Sequence, residues 1–155
     1  MDALTFKKGL GCALAESGFT RYGKSFRRDA QGVTTLISVE QGFGFQWFIN
    51  VGFCLHGIGG TIPERIEKAH MYFRLERLFP VARETVLTAG ALDDAHQPSA
   101  YQDLIALLGS ELGQSLSSLG TEDALRSALT ENLLAIGIVT RQAREYLSGP
   151  RTPSP

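Results

Sequence analysis

From Phe43 to Leu55 every odd position is apolar (Phe43, Phe45, Trp47, Ile49, Val51, Phe53, Leu55), while Gly44, Gln46, Phe48, Asn50, Gly52 and Cys54 alternate with them and His56 follows. A strict period of two over this length predicts a long β-strand across residues 43–56 with one fully buried face. The remainder of the chain must then supply neighbouring strands and a cover for that face.

The neighbours are legible on both sides. Val33 to Gln41 alternates Val33, Thr35, Ile37 and Val39 with Thr34, Leu36, Ser38 and Glu40, which predicts a second strand. Asp29-Ala30-Gln31-Gly32 reads as a hairpin turn connecting it to a strand over Phe19–Arg28. Facing residues in an antiparallel hairpin keep a fixed pairing, and burial selects one. It sets Val39 opposite Phe45, Ile37 opposite Trp47 and Thr35 opposite Ile49, and on the second face Leu36 opposite Phe48. After a glycine loop (Gly57, Gly59, Gly60) and one helical turn over Glu64–Ala69, His70 to Phe79 reads as a fourth strand, ended by Pro80.

Helical signals flank these strands. Residues 3–17 place Ala3, Leu4, Leu10, Ala13 and Leu14 on one face, with Asp2 as N-cap and Gly18 in the left-handed position after the last turn. Gly9 and Gly11 weaken that helix by about 1 kcal/mol each relative to alanine, so it depends on docking. Residues 81–97 carry no readable element. Ser99 and Gln102 form a capping box before a helical repeat from Tyr101 to Leu119, stopped by Gly120. Thr121 caps a helix whose apolar side is Leu125, Ala128, Leu129 and Leu133, and a last helix spans about Leu134 to Leu147. Strands grouped between helices, with turns too short for parallel crossovers, predict an α+β fold. The expectation is an antiparallel sheet of about four strands, an N-terminal helix and about three C-terminal helices. Residues 1–150 are expected to make one domain, and Arg151–Pro155 a disordered tail.

Composition excludes more than it identifies. The net charge of −1 creates no global field toward nucleic acid or an anionic membrane, and no apolar run is long enough to span a bilayer. Arg21, Lys24, Arg27 and Arg28, interleaved with Tyr22 and Phe26, make the first hairpin basic, but no aromatic pattern of an RNA-binding sheet accompanies them. The two cysteines, Cys12 and Cys54, make no disulfide framework and both read as small buried hydrophobes in a reduced, cytoplasmic protein.

No catalytic constellation emerges. Cys54 and His56, two apart on a strand, project from one face, and His70 could join them, but a metal site needs three or four ligands and nothing supplies the rest. The GIGG loop at 57–60 is not a phosphate loop, because it lacks the GK[ST] ending and runs into Thr-Ile-Pro. Asp93-Asp94 and Glu122-Asp123 are adjacent in sequence rather than opposed across a site. Arg74, Glu76 and Arg77 read as a charge cluster on a solvated face. The sequence thus implies no cofactor, no metal and no catalytic residues.

The N-terminal half resembles a bacterial family of small proteins whose domain has no assigned function. The shared features are a helix ending in Gly18-Phe19, then Phe26-Arg27, two long aromatic-rich strands of which the second carries Phe48-Ile49-Asn50-Val51-Gly52, and a strand from His70 to Arg77. The resemblance covers roughly residues 3 to 80 and does not extend to the C-terminal helices. It implies a small cytoplasmic bacterial protein, and some families of this size act as immunity proteins beside secreted toxins. Together these features point to a non-enzymatic binding protein whose partner is another protein, using Gln46, Phe48, Asn50, His56 and Arg74 on the second sheet face. The alternative is a small-ligand binder or enzyme using that face or the glycine loop.

Overall fold

The computed structural model describes residues 1–132 and 134–150. Its centre is one antiparallel sheet whose strands lie side by side in chain order, β1 (Thr20–Tyr22), β2 (Ser25–Ala30), β3 (Val33–Gln41), β4 (Trp47–Leu55), β5 (Met71–Arg74) and β6 (Ile138–Val139). Among the described residues seven α-helices accompany it: α1 (Ala3–Glu16), α2 (Leu75–Leu78), α3 (Arg83–Gly90), α4 (Gln97–Leu108), α5 (Glu111–Leu119), α6 (Glu122–Thr130) and α7 (Arg141–Ser148). The α+β class and the single antiparallel sheet are as the sequence predicts. The strand and helix inventory is not, and each difference has a local cause. The expected disordered tail, and Leu133 on the side of α6, lie outside the described residues.

The two sheet faces are covered differently. Odd-numbered residues of β3 and β4 (Val33, Ile37, Ile49, Val51, Phe53, Leu55) pack with Met71 and Phe73 of β5 against α1 and the C-terminal helices. Phe53 and Phe73 lie 6.1 Å apart, tilted by 59°. Each such large side chain contributes about 1.5–3 kcal/mol by leaving water. On the other face Leu36 and Cys54 pack against Ile66 and Ala69, with Ile62, Tyr22 and Tyr72 around them. That second cover is the segment following the glycine loop, folded back as an irregular strap with one 3₁₀ turn (Ile66–Lys68).

Gly52 makes the strap's approach possible. It faces Leu36 across the β3–β4 pair, and a Cβ there would stand 2.7 Å from Ile66 Cγ1 and 3.0 Å from Ala69 Cβ. The second face is therefore sealed at its centre, and Leu36 faces Gly52 rather than Phe48.

The register of the hairpin is shifted by four residues from the expected one. Ile37 pairs with Val51, Val39 with Ile49 and Thr35 with Phe53. The shift is even, so the predicted faces are kept while the loop is longer. Gly44 adopts a left-handed φ of +62°, and the chain reverses over Gly42–Gln46, with Gly42 N–H donating to Gln46 O at 2.8 Å. The apolar alternation in the sequence thus runs across a turn. Phe43 and Phe45 are left at the tip, 99% and 63% exposed, instead of joining the buried row, and Trp47 is only half-buried.

Other differences follow the same logic. The expected first strand splits at Gly23 into β1 and β2, and the second turn is the tighter Gln31-Gly32. The His70–Phe79 stretch is extended only to Arg74 and then becomes α2, and Pro80 opens a short 3₁₀ turn (Pro80–Ala82) leading into α3 in the unread region. The helix expected from Ser99 starts at Gln97 with Pro98 in its first turn, and it breaks at Gly109-Ser110. There Ser17 Oγ–H donates to Leu108 O and Ser110 Oγ–H to Ala106 O, taking up carbonyls freed by the break. In α1 the buried face is Phe6, Leu10, Ala13 and Leu14, while Leu4 points to solvent. Asp2 caps α1 by accepting from Thr5 N–H at 2.8 Å, and Gly18 has φ +88°. Cys54 is buried but Cys12 is exposed, so only one thiol fills a core position. Within the expected last helix, Ile138-Val139 pairs with Tyr72 and Met71, and Thr140 then caps α7.

Candidate functional site

The residues singled out from the sequence separate into three places. Phe48, Asn50 and Arg74 come together on the second face. The Arg74 guanidinium carbon stacks 3.7 Å from the centre of the Phe48 ring, and Asn50, paired with Arg74 across β4–β5, donates from Nδ2 to Glu40 Oε2 at 3.0 Å. Asn50 is 2% exposed and its Oδ1 has no partner among the described residues. Gln46 lies apart, at the base of the hairpin tip, where its Nε2 donates to Leu87 O and Trp47 O, both at 3.1 Å, tying β4 to α3.

His56 stands at the opposite end of β4, in a short 3₁₀ turn (His56–Ile58), so it does not share a strand face with Cys54. Its Nε2 lies 2.7 Å from Thr34 Oγ1, and that hydroxyl lies 2.6 Å from Asp29 Oδ1. An ionised carboxylate only accepts, so Thr34 gives its proton to Asp29 and His56 donates through Nε2. The Thr34 hydroxyl, followed by Arg27, holds the Asp29 carboxyl below its ordinary value. Thr34 is fully buried, which makes this chain a means of orienting the imidazole rather than an activated nucleophile. Among the described residues no three His, Cys, Asp or Glu side chains converge to hold a metal.

The sheet's other end carries the feature that the sequence reading placed in the core. Phe43 and Phe45 project from the hairpin tip, Leu92 N–H donates to Phe45 O, and Gln46 bridges to Ala91. These ties fix the tip against the residues after α3. Beside it lies a cavity of about 360 Å³ whose lining includes Met1, Phe45, Trp47 and Leu92 together with Asp2 and Asp93. Trp47 is clamped from the other side by Lys7 Nζ, 4.5 Å from its ring centre. Soluble proteins rarely leave clustered large apolar side chains in water unless something docks there. The available signal was Gly42 and Gly44 flanking Phe43, which marks a turn inside the apolar alternation. A wider depression between α2 and α5–α6 (about 610 Å³) holds one charged side chain, Glu111, and no opposed pair for acid–base chemistry. No described helix is long and apolar enough to cross a membrane. No protein-family model, no curated protein and no solved structure matches the chain.

Proposed function

We propose that this protein is a non-enzymatic interaction module, of the kind that serves as an immunity protein in the bacterial cytoplasm, and that it grips a partner protein with the β3–β4 hairpin tip. The observation that carries the reading is the exposure of Phe43 (99%) and Phe45 (63%) on a backbone held in place by α3 and its following residues. Two exposed phenyl rings at a tied hairpin tip, one of them lining an apolar cavity, match the aromatic enrichment of protein interfaces. Asp2 and Asp93 in the lining favour a partner that inserts an apolar side chain flanked by Lys or Arg. The expected site is not one open surface: Gln46 is tied to α3, Phe48 lies under Arg74, Asn50 is buried, and the strap seals the face at Leu36 and Gly52.

The test is a defined complex. A protein encoded beside this one that co-purifies with it is titrated against the wild type and against Phe43→Ser/Phe45→Ser. Removing both rings is expected to weaken binding about a hundredfold or more, since each buried phenyl contributes about 1.5–3 kcal/mol. The melting temperature is expected to fall by only a few degrees, because Phe43 is fully in water and Phe45 is 63% exposed. Equal affinity of the double variant, with its fold intact, overturns the reading.

A further inference from the structure

At the end of the sheet away from the tip, roughly 27 Å along the nine residues of β4 at strand spacing, a second cavity of about 300 Å³ opens beneath the glycine loop. Its polar wall is Arg27 from β2, His56, Lys68 from the strap and His70, with Thr61 beside them, and its apolar wall includes Leu55, Ile62 and Pro63. None of the described residues lining it is acidic. The volume is at the lower end of what small-molecule sites enclose.

Arg27 and the two imidazoles are oriented before any ligand arrives, and the exposed Lys68 adds an ammonium. Arg27 uses Nε on Asp29 (3.0 Å) and its guanidinium carbon lies 5.0 Å from the centre of the Tyr22 ring, which leaves the terminal nitrogens off the Asp29 carboxylate. His70 accepts the Leu55 N–H on Nδ1 at 2.8 Å, so the ring proton is on Nε2. Its main-chain oxygen is fixed by Thr140 N–H and Oγ–H. His56 is oriented by Thr34 and Asp29. Gly59 and Gly60, at φ +88° and +89°, let the loop turn where side-chain-bearing residues are strained. Donors converge from three elements on a space with an apolar side.

We propose that this cavity binds the phosphate of a small phosphomonoester, with the organic part against Leu55, Ile62 and Pro63. A carboxylate offers two oxygens on one edge, whereas phosphate offers three strong acceptor oxygens to a guanidinium, an ammonium and an imidazole N–H coming from different directions. The loop remains unlike a nucleotide phosphate loop, because these donors are side chains rather than successive backbone amides.

The test is titration of the isotope-labelled protein with inorganic phosphate, glycerol 3-phosphate and acetate at fixed ionic strength, following the imidazole and backbone signals of His56, His70 and Lys68. Saturable shifts with phosphate, reached at lower concentration with glycerol 3-phosphate and absent with acetate, are expected. Arg27→Gln and Lys68→Gln should each weaken binding about tenfold, the loss of one charge-assisted contact. Lys24→Gln, basic but outside the cavity, should leave it unchanged. If Arg27→Gln unfolds the protein, Lys68→Gln decides alone. No saturable shift at His70, equal response to acetate, or equal weakening by Lys24→Gln overturns the proposal. Phe43→Ser/Phe45→Ser should titrate like the wild type, so failure here and failure of the docking reading are distinguishable.

Discussion

Gly52 shows how one missing side chain decides which surface is open. Its hydrogen lets Ile66 and Ala69 seat on Leu36, so Gly52→Ala must push the strap outward or strain β4. A loss of about 1–3 kcal/mol is expected, as for other overpacked cores, read by denaturant unfolding; an unchanged midpoint would mean that the strap yields freely. His70 offers a different handle. Burial holds its pKa below the ordinary 6.5, and only a bare Nδ1 can accept the Leu55 N–H. The folded pKa lies below the unfolded one, so the contribution is fully present above pH 6.5 and is lost as pH falls through the lower folded value. Melting temperatures between pH 7 and pH 5 should drop more steeply for the wild type than for His70→Gln, whose side-chain oxygen still accepts at low pH. Parallel slopes would remove His70 from this role.

At the scale of elements, the parts legible in the sequence are those where local signals and packing agree. α1 has its Asp2 cap and Gly18 exit, β3 its alternation and α6 its Thr121 cap accepting from Ala124 N–H. The β3–β4 faces were also legible, because an even register shift leaves the period of two intact. What could not be read had its cause elsewhere in the chain. The turn at Gly44 hid inside an unbroken apolar alternation, so Phe43 and Phe45 looked like core. The break between α4 and α5 is stabilised by Ser17, far away in sequence. Ile138-Val139, exposed to half-buried and only two residues long, is a strand because Met71 and Tyr72 lie beside it. The charged cavity was missed because Arg27, His56, Lys68 and His70 carry no spacing in common. The C-terminal elements are nevertheless integral. Ala143 and Leu147 of α7 are buried, and Arg126 holds the helix end by donating to Leu147 O and Gly149 O. Leu147→Ala should therefore cost about 2–5 kcal/mol, and ending the chain after Asn132 should give an aggregating product; a truncated chain that melts like the full one would show α7 to be an appendage.

Taken whole, the molecule is an antiparallel meander whose two ends differ in character, with aromatic rings in water at one and cations around a cavity at the other. The sheet closes in an unusual order. β1 to β5 follow one another directly, but the strand that lies along β5 arrives only after α2 to α6. During synthesis at the usual 5–20 residues per second, the outer edge of Met71 and Tyr72 stays bare for roughly 3–13 s. An unpaired edge is a template for any passing strand. The nascent chain then lacks its sixth strand, and a chain further along on the same message, with Ile138-Val139 already made, could supply it. Ribosome-bound chains arrested before Ile138 should bind an added peptide of the 136–141 sequence and lose that capacity once the tether reaches past α7; arrested chains that never capture the peptide would show that the edge is guarded by other means.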